Sequence, residues 1–192
     1  IRDRDTGAVY LNFTSGSNNP ASDTNATQYD IVATKKFGDK FGIGFNGTYA
    51  QIGRYNLDGS LDTTFGTSGF IALDGSGSVP ASPHGLYGVV VDASNNIYVL
   101  MLNSAGFGVA YMVKFNPSGV WVGTYGELDS ISGATQGQYT LALDTNGNII
   151  LAGSVRGIIN VTALTTSGTS VVGFTNFESN TTVSTDSFAL LN

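Results

Sequence analysis

The chain repeats itself, and this constrains its fold more than any other feature. Three segments share one pattern, strongest in the first copy: residues 54–69 (RYNLDGSLDTTFGTSG), 114–126 (KFNPSGVWVGTYG) and 163–175 (ALTTSGTSVVGFT). In each, an aromatic residue follows an aligned glycine at the same offset: Gly59 with Phe65, Gly119 with Tyr125, and Gly168 with Phe174. Repeats of about 40–60 residues are typical of stacked supersecondary units. We therefore expect a stack of similar units.

A second repeated pattern predicts β-hairpins. Residues 86–102 (LYGVVVDASNNIYVLML) match residues 138–153 (QYTLALDTNGNIILAG), which places Asp92 over Asp144 and Tyr87 over Tyr139. Each copy has two apolar, β-rich runs joined by the Asn, Asp and Gly residues that supply positive φ angles in tight turns. Another hairpin is predicted around Pro117-Ser118-Gly119. One repeat should therefore contain four antiparallel strands.

The apolar runs also indicate how the sheets pack. Residues 88–91 and 97–102 are almost continuously apolar, which predicts sheets covered on both faces. No window shows the 3.6-residue apolar period of a helix. We predict one all-β domain over residues 1–192, a β-propeller-like array of four-stranded antiparallel blades with little or no helix. Its repeats should cover approximately residues 28–69, 86–126 and 138–175.

The first copy is less regular than the others. Its four strands are predicted at residues 28–34, 41–45, 49–56 and 60–65, with a long turn at residues 35–40. Polar loops are predicted between the copies at residues 15–27, 74–84, 126–137 and 175–182. Binding residues concentrate on such loops in many proteins, so we expect any binding function there.

The two ends suggest how the array is completed. Residues 187–192 resemble an opening strand, and residues 5–13 resemble the turn and second strand. Pairing of these terminal strands would remove exposed sheet edges, within one molecule or between neighbours in an oligomer or filament. Alternatively, the segment stops partway into another repeat of a longer protein. The absence of a starting Met and of an apolar leader favours a processed product or an internal segment.

Composition excludes several classes of function. Only 11% of residues are charged, and such a polar but uncharged balance is frequent in secreted, cell-surface and virion proteins. The net charge of −6 and the absence of a basic stripe argue against nucleic acid as a partner. With no cysteine, the chain lacks disulfides and thiol nucleophiles. No apolar run is long enough for a transmembrane segment.

The strongest copy resembles a known family. Residues 57–69, LDGSLDTTFGTSG, resemble the signature of the delta-60 repeat, which occurs in long bacterial surface proteins. The matching positions are Gly59, Leu61, Asp62, Phe65, Gly66 and Gly69. The match weakens in the second copy and is least in the third, and the repeat layout covers roughly residues 28–175. The resemblance implies a β-propeller, and it carries no catalytic residues.

Two motifs associated with enzymes have a simpler structural interpretation. Gly42, Gly44 and Gly47 have the G-x-G-x-x-G spacing, but a strand-like segment follows them where a dinucleotide site needs a helix. His84 is the only histidine, and no G-x-S-x-G nucleophile motif accompanies it. We interpret the glycines as part of a strand and His84 as a solvated loop residue.

Acidic residues offer two further candidate sites. Residues 144–148, DTNGN, resemble the start of a calcium loop, but the required Glu is absent, and the counterpart at residues 92–96 suits the same hairpin turn. Glu127 and Glu178, with Asp129 nearby, are the carboxylates that a glycoside hydrolase would need, and both are predicted in loops. We interpret the acidic residues of 92–96 and 144–148, together with Asp58 and Asp62, as turn residues. We interpret Glu127, Glu178 and Asp129 as exposed charges.

Aromatic residues and asparagines complete the candidates. Trp121, Tyr10, Tyr49 and Tyr139 have the ring faces that sugars stack on, but their strand positions favour the core. The N-x-S/T sequons are at Asn12, Asn25, Asn46, Asn160 and Asn180, a number close to chance for this composition.

These observations predict a non-enzymatic structural or adhesive module at an extracellular, cell or virion surface. We predict no catalytic, cofactor-binding or metal-binding residue and no cofactor. The expected partners are further copies of the chain, through edge strands in a filament or virion, or other surface proteins. A glycan-binding lectin is the alternative, and a polysaccharide-processing enzyme is the third hypothesis.

Overall fold

A computed structural model describes most of the repeat region. The described residues are 30–37, 40–46, 51–73, 83–103, 109–127, 138–155, 158–169, 171 and 177–178. They contain strands and no helix, so the described part is all-β, as predicted. Within these ranges, therefore, no helix exists that is long and apolar enough to cross a membrane. Both predicted terminal strands, 5–13 and 187–192, lie outside the described residues.

The described strands form three antiparallel sheets of four strands each. The first sheet contains β1 (Asp30–Phe37), β2 (Lys40–Asn46), β3 (Gln51–Asn56) and β4 (Phe70–Ala72). The middle sheet contains β5 (Pro83–Val91), β6 (Ile97–Asn103), β7 (Val109–Phe115) and β8 (Trp121–Glu127). The third sheet contains β9 (Gln138–Leu143), β10 (Ile149–Val155), β11 (Ile158–Leu164) and β12 (Phe177–Glu178). Strand order follows chain order in every sheet.

Five hairpin turns have the same backbone geometry. They span residues 56–60, 92–96, 116–120, 144–148 and 165–169. In each, the first N–H donates to the last carbonyl, and the fourth N–H donates to the first carbonyl. The fourth residue has a positive φ between 64° and 86°: Gly59, Asn95, Gly119, Gly147 or Gly168. Glycine and asparagine adopt this conformation at little cost, which explains why these residues recur at one place in the pattern.

The core consists of two layers on either side of the middle sheet. Strand β6 buries five consecutive side chains, each at most 1% exposed. Ile97, Val99 and Met101 pack in the layer shared with the first sheet. Tyr98 and Leu100 pack in the layer shared with the third sheet. Because successive side chains of a strand point to opposite faces, this continuous apolar run fits a sheet covered on both sides, as predicted.

The first strands of the three sheets lie near one another. β5 is adjacent to β1 on one side and to β9 on the other. The three sheets therefore stack through their faces and also approach along their first strands.

The first copy differs from its prediction. Residues 60–65 were expected to form the fourth strand, but the fourth strand is β4, and residues 60–65 form turns with one isolated bridge between Tyr55 and Leu61. Positive φ angles at Gly66, Ser68 and Gly69 bend the segment instead of extending it. The predicted long turn at residues 35–40 is also wrong, because Phe37 pairs directly with Lys40.

Strands extend into three of the four predicted loops, and the fourth, residues 15–27, lies outside the described residues. Pro83 and His84 lie in β5, Glu127 is the last residue of β8, and Glu178 lies in β12. The prediction that His84, Glu127 and Glu178 lie in loops is therefore wrong, because the backbone of each belongs to a strand. Strand pairing continues beyond the apolar runs on which the prediction rested, because the backbone hydrogen bonds of a ladder do not need apolar side chains.

Candidate functional site

The predicted catalytic candidates that lie in the described residues are on three different strands. His84 lies at a register irregularity of β5, between Pro83 and Gly85. Glu127 pairs with Tyr111 in the middle sheet, whereas Glu178 pairs with Asn160 in the third sheet. Asp129 lies outside the described residues. Each of the three described residues is therefore placed by a different strand.

The calcium-loop candidate is a hydrogen-bonded turn. Asp144 Oδ1 accepts the N–H groups of Asn146 and Asn148 at 2.8 Å each, and Oδ2 accepts the Asn148 side chain at 2.7 Å. The hydrogen bonds from Asn148, and then from Asn146, hold the pKa of Asp144 below its usual value. Among the described residues, no group of three or more His, Cys, Asp or Glu could hold a metal ion. The carboxylate therefore shapes its turn.

Asp92 repeats this arrangement with one addition. Its Oδ1 accepts the N–H groups of Ser94 and Asn96, and its Oδ2 accepts the Asn96 side chain at 2.8 Å and the Tyr98 hydroxyl at 3.1 Å. Burial raises the pKa of Asp92, but these hydrogen bonds outweigh it and lower the pKa. The predicted turn role of both aspartates fits this geometry.

The remaining candidates lie mainly in strands. Gly42 and Gly44 belong to β2, which pairs with β1 and with β3, and Gly47 is outside the described residues. Trp121 packs against the layer between the first and middle sheets. Tyr139 lies in β9, and Tyr10 and Tyr49 are outside the described residues. Of the sequons, Asn46 ends β2, Asn160 lies in β11, and the other three are outside the described residues.

The most developed polar cluster surrounds Asp62, at the junction between the first and middle sheets. Asp62 is only 5% exposed and lies 2.8 Å from Arg54 Nε and 3.1 Å from Lys40 Nζ. Its Oδ1 accepts the N–H and the hydroxyl of Thr64. Burial raises the pKa of Asp62, but the hydrogen bonds from Thr64, Lys40 and Arg54 lower it far below the usual value. The cluster is therefore an ionised, fully bonded buried carboxylate.

This cluster positions Arg54 to reach the next sheet. The Arg54 guanidinium also donates from Nη1 to the carbonyl oxygen of Pro117, in the 116–120 turn of the middle sheet. It lies 4.5 Å over the centre of the Phe65 ring, which is fully buried. Arg54 therefore links the charged cluster, the core and the neighbouring sheet through one side chain.

The backbone completes this first junction. The N–H of Gly66 donates to the Ser118 carbonyl at 2.8 Å. A Cβ atom placed on Gly119 would lie 2.9 Å from the Gly66 nitrogen and 3.0 Å from the Phe65 ring. Glycine at position 119 therefore serves two purposes, the positive φ of the turn and the close approach of the two sheets.

A second junction joins the middle and third sheets at the equivalent place. The Tyr98 hydroxyl lies 3.4 Å from the Thr166 carbonyl oxygen, in the 165–169 turn. Thr166 occupies the turn position that Pro117 occupies in the middle sheet, two residues before the aligned glycine. The Lys114 ammonium lies 5.1 Å from the centre of the Tyr98 ring. At both junctions, therefore, a side chain of one sheet reaches a turn of the next sheet.

In each sheet, one pair of directly opposed residues on the second and third strands occupies the position from which the next turn is contacted. Gly42 pairs with Arg54, Tyr98 pairs with Lys114, and Ile150 pairs with Ala163. Arg54 donates to the next turn in the first sheet. In the middle sheet the Tyr98 hydroxyl reaches the next turn, but its single proton is shared between the Thr166 carbonyl at 3.4 Å and Asp92 Oδ2 at 3.1 Å. The third pair contains no side-chain donor. We call these three pairs the junction pairs.

The junction pairs were not predicted from the sequence. Arg54 was predicted in a third strand and Asp62 in a turn, but no sequence pattern connected Arg54 with Pro117 or Tyr98 with Thr166. Alignment on Gly59, Gly119 and Gly168 brings Arg54, Lys114 and Ala163 into one register, and this was the available signal. Because the three residues differ in chemistry, the alignment alone does not show that they occupy a junction.

Comparisons with known proteins add evidence for the fold only. No known protein family and no curated protein matches the chain. A similar solved structure is a protein of unknown function from Bacteroides caccae, which is 12% identical with a TM-score of 0.50. The match covers 79% of this chain and 47% of that chain, so this chain spans about half the length of that protein.

Proposed function

We propose that this chain is a β-propeller-like array of delta-60-type blades with a structural or adhesive function at an extracellular, cell or virion surface. The observation that carries the proposal is the repeated junction. The middle sheet docks its turn on Arg54 of the first sheet, and the third sheet docks its turn on Tyr98 of the middle sheet. An array that repeats one contact in one direction is typical of a scaffold built from equivalent units.

The stacking of the sheets supports a blade arrangement. Each sheet is a four-stranded meander, and the first strands β1, β5 and β9 lie side by side. In a propeller, the first strands of the blades line the central axis and the faces of neighbouring blades pack together. The match of residues 57–69 to the delta-60 signature agrees with this arrangement, because Asp62, Phe65 and Gly66 of that signature form the first junction.

The use of the polar residues supports a non-enzymatic role. Asp58, Asp62, Asp92 and Asp144 each accept hydrogen bonds from their own turns. Catalytic carboxylates instead need an oxygen available to substrate or water. Tyr55, Phe65, Tyr98 and Phe115 are buried, and the half-buried Trp121 packs against the layer between the first and middle sheets, which favours a core role over sugar stacking. A glycan-binding surface remains the alternative that the following experiment distinguishes.

The test combines surface labelling with assays for the two competing functions. Antibodies against the purified chain should label intact source cells or particles without lysis, and the chain should release no reducing sugar from polysaccharides. Labelling only after lysis would contradict the surface role. Sugar release that is lost in Glu127→Gln would show an enzyme, and glycan-array binding that is lost on substitution of loop residues would show a lectin.

A further inference from the structure

The first hairpin turn of the third sheet contains an asparagine followed by a glycine. Asn146 and Gly147 are the third and fourth residues of the 144–148 turn, and Asn146 is exposed. In the other four turns the third residue has no carboxamide: it is Asp58, Ser94, Ser118 or Ser167. Among the five turns, therefore, only this one places a carboxamide next to the backbone nitrogen of a glycine.

This pair of residues can react within the chain. The carboxamide carbon of an asparagine is open to attack by the backbone nitrogen of the following residue, which closes a five-membered ring. Glycine obstructs this closure least, because it has no side chain. At Gly147 nothing lies within 4 Å of the place that a Cβ would take, whereas a Cβ on Gly119 would meet another sheet. The peptide between Asn146 and Gly147 therefore has room to rotate.

The Asn146 side chain is also free to turn toward that nitrogen. The carboxamide of Asn148 donates to Asp144 at 2.7 Å, and the equivalent Asn96 donates to Asp92 at 2.8 Å. In the part of the chain that the structure describes, no hydrogen bond holds the carboxamide of Asn146, and only its backbone N–H bonds Asp144. The reactive group is therefore not fixed by the turn.

One hydrogen bond of the turn opposes the reaction. The N–H of Gly147 donates to the carbonyl oxygen of Asp144 at 3.0 Å, and this bond must break before the nitrogen can attack. The tip of the turn, Thr145 and Asn146, is exposed, and exposed segments of this kind open locally at a small cost. The reaction should therefore be slower in the folded chain than in the unfolded chain, but it does not require global unfolding.

We propose that Asn146 is a site of spontaneous deamidation. Hydroxide removes the proton of the Gly147 nitrogen, which then bonds to Asn146 Cγ, and the Cγ–Nδ2 bond breaks. Nδ2 takes up a proton and leaves as ammonia. Water then opens the cyclic imide at either of its carbonyl carbons and gives aspartate or isoaspartate at position 146. The reaction consumes water, releases ammonia and oxidises nothing. This inference goes beyond the proposed function and does not depend on it.

The modification changes both the charge and the geometry of the turn. Either product makes the net charge more negative than −6 and places a second carboxylate close to that of Asp144. Isoaspartate also lengthens the backbone inside the segment that the hydrogen bond from the Asp144 N–H to the Asn148 carbonyl closes. The turn between β9 and β10 should therefore loosen as the modification proceeds.

Peptide mapping by mass spectrometry, over a time course at mildly acidic and mildly alkaline pH, tests the proposal on the folded chain. The peptide that contains residue 146 should accumulate aspartate and isoaspartate, faster at alkaline pH because hydroxide starts the reaction. It should do so ahead of the sites at Asn95 and Asn148, which no glycine follows. The other Asn-Gly pair of the sequence, Asn46–Gly47, is measured separately in its own peptide.

Gly147→Asn is the matched variant, since Asn95 holds the same turn position with a φ of 64°. It keeps Asn146 but should slow its modification about tenfold or more, because the new side chain obstructs ring closure. Equal rates in the two proteins would overturn the proposal. If the variant does not fold, as judged by its melting temperature, the unmodified chain decides the question. Modification of Asn146 in guanidinium chloride but not in the folded chain would show that the turn protects it, and would also overturn the proposal.

Discussion

The two junctions of this protein achieve the same docking with different chemistry. In the first, the Arg54 guanidinium and the backbone N–H of Gly66 bind the neighbouring turn, and the buried Asp62 carboxylate, which also pairs with Lys40, holds Arg54 in place. In the second, one tyrosine hydroxyl reaches the turn from the edge of an apolar layer, and its contact with Thr166 is long, at 3.4 Å. The position of the contact therefore recurs from one junction to the next, whereas the residue that makes it differs.

The difference should appear in stability. A buried charged network is costly to break at one partner, because the remaining charges lose their compensation. At the second junction one uncharged hydroxyl is shared between Asp92 and Thr166, and a hydrogen bond of this kind contributes about 1–3 kcal/mol. Variants at the first junction should therefore be more destabilising than variants at the second.

The largest effect is expected for Asp62→Ala. The change leaves the Arg54 guanidinium, 13% exposed, and the Thr64 groups without their acceptor. We expect a loss of about 3–5 kcal/mol in the free energy of unfolding, measured by urea denaturation. Asp58→Ala is the control, because Asp58 is exposed and bonds only Ser60 among the described partners, so its effect should be small. Equal effects of the two substitutions would contradict the importance of the first junction.

The same carboxylate predicts a response to acid. Its pKa in the folded state is lowered, so its contribution to stability is complete above the unfolded pKa, near 3.8, and is lost as the pH falls below that value. The unmodified chain should therefore lose stability more steeply in acid than Asp62→Asn does. Other lowered pKa values, such as those of Asp92 and Asp144, contribute equally to both proteins and cancel in this difference.

A smaller effect is expected for Gly119→Ala, and the chain provides a matched control. Gly119 and Gly147 have the same φ of 81°, but a Cβ at Gly119 would meet Gly66 and Phe65, whereas nothing lies within 4 Å of a Cβ at Gly147. Gly147→Ala should cost about 1 kcal/mol for the backbone conformation alone. Gly119→Ala should cost about 1–3 kcal/mol more, because the two sheets must separate.

Equal melting temperatures for these two glycine variants would show that the sheets do not approach closely at the first junction. A larger loss for Gly119→Ala would separate the cost of junction packing from the cost of turn geometry. The pair therefore measures the contact between sheets without changing a polar group.

The sequence predicts the local geometry of this fold better than its contacts between sheets. The hairpins could be predicted because their turns need residues that adopt a positive φ and side chains that accept hydrogen bonds from the turn. The glycines at 59, 119 and 168 meet the first need, and the aspartates at 92 and 144 meet the second. The first copy's fourth strand was misplaced because residues 60–65 align with residues 120–125, which overlap β8 of the middle sheet. Only the bent backbone at residues 66–69 shows that the chain must turn before it can pair.

The junctions were less predictable for a physical reason. Whether a donor reaches another sheet depends on the distance between the stacked sheets and on the face to which the strand directs its side chains. A short sequence pattern predicts neither of these. Arg54 and Tyr98 lie on different strands of their sheets, so no single aligned column identifies them. The cross-strand partners Gly42 and Lys114 complete the pattern only when the register is known.

The smallest effect is expected at the second junction, for Tyr98→Phe. The substitution keeps the ring in its apolar layer and removes only the hydroxyl that lies near Asp92 and Thr166. We expect a loss of about 1.5–2 kcal/mol in the free energy of unfolding, because the hydroxyl also donates to the Asp92 carboxylate, with the cooperative transition retained. Hydrogen exchange should rise in the 165–169 turn and stay unchanged in the 116–120 turn, which the first junction holds.

The contribution of the Tyr98 hydroxyl can be separated by comparing Asp92→Asn with Asp144→Asn. The two turns have similar hydrogen bonds, but only Asp92 also contacts a tyrosine. Asp92→Asn should therefore be the more destabilising of the two, and combining it with Tyr98→Phe should give less than the sum of the single effects. A loss at Tyr98 as large as that at Asp62 would mean that the hydroxyl holds the third sheet as strongly as the charged cluster holds the middle one. The two junctions would then be energetically equivalent, despite their different chemistry.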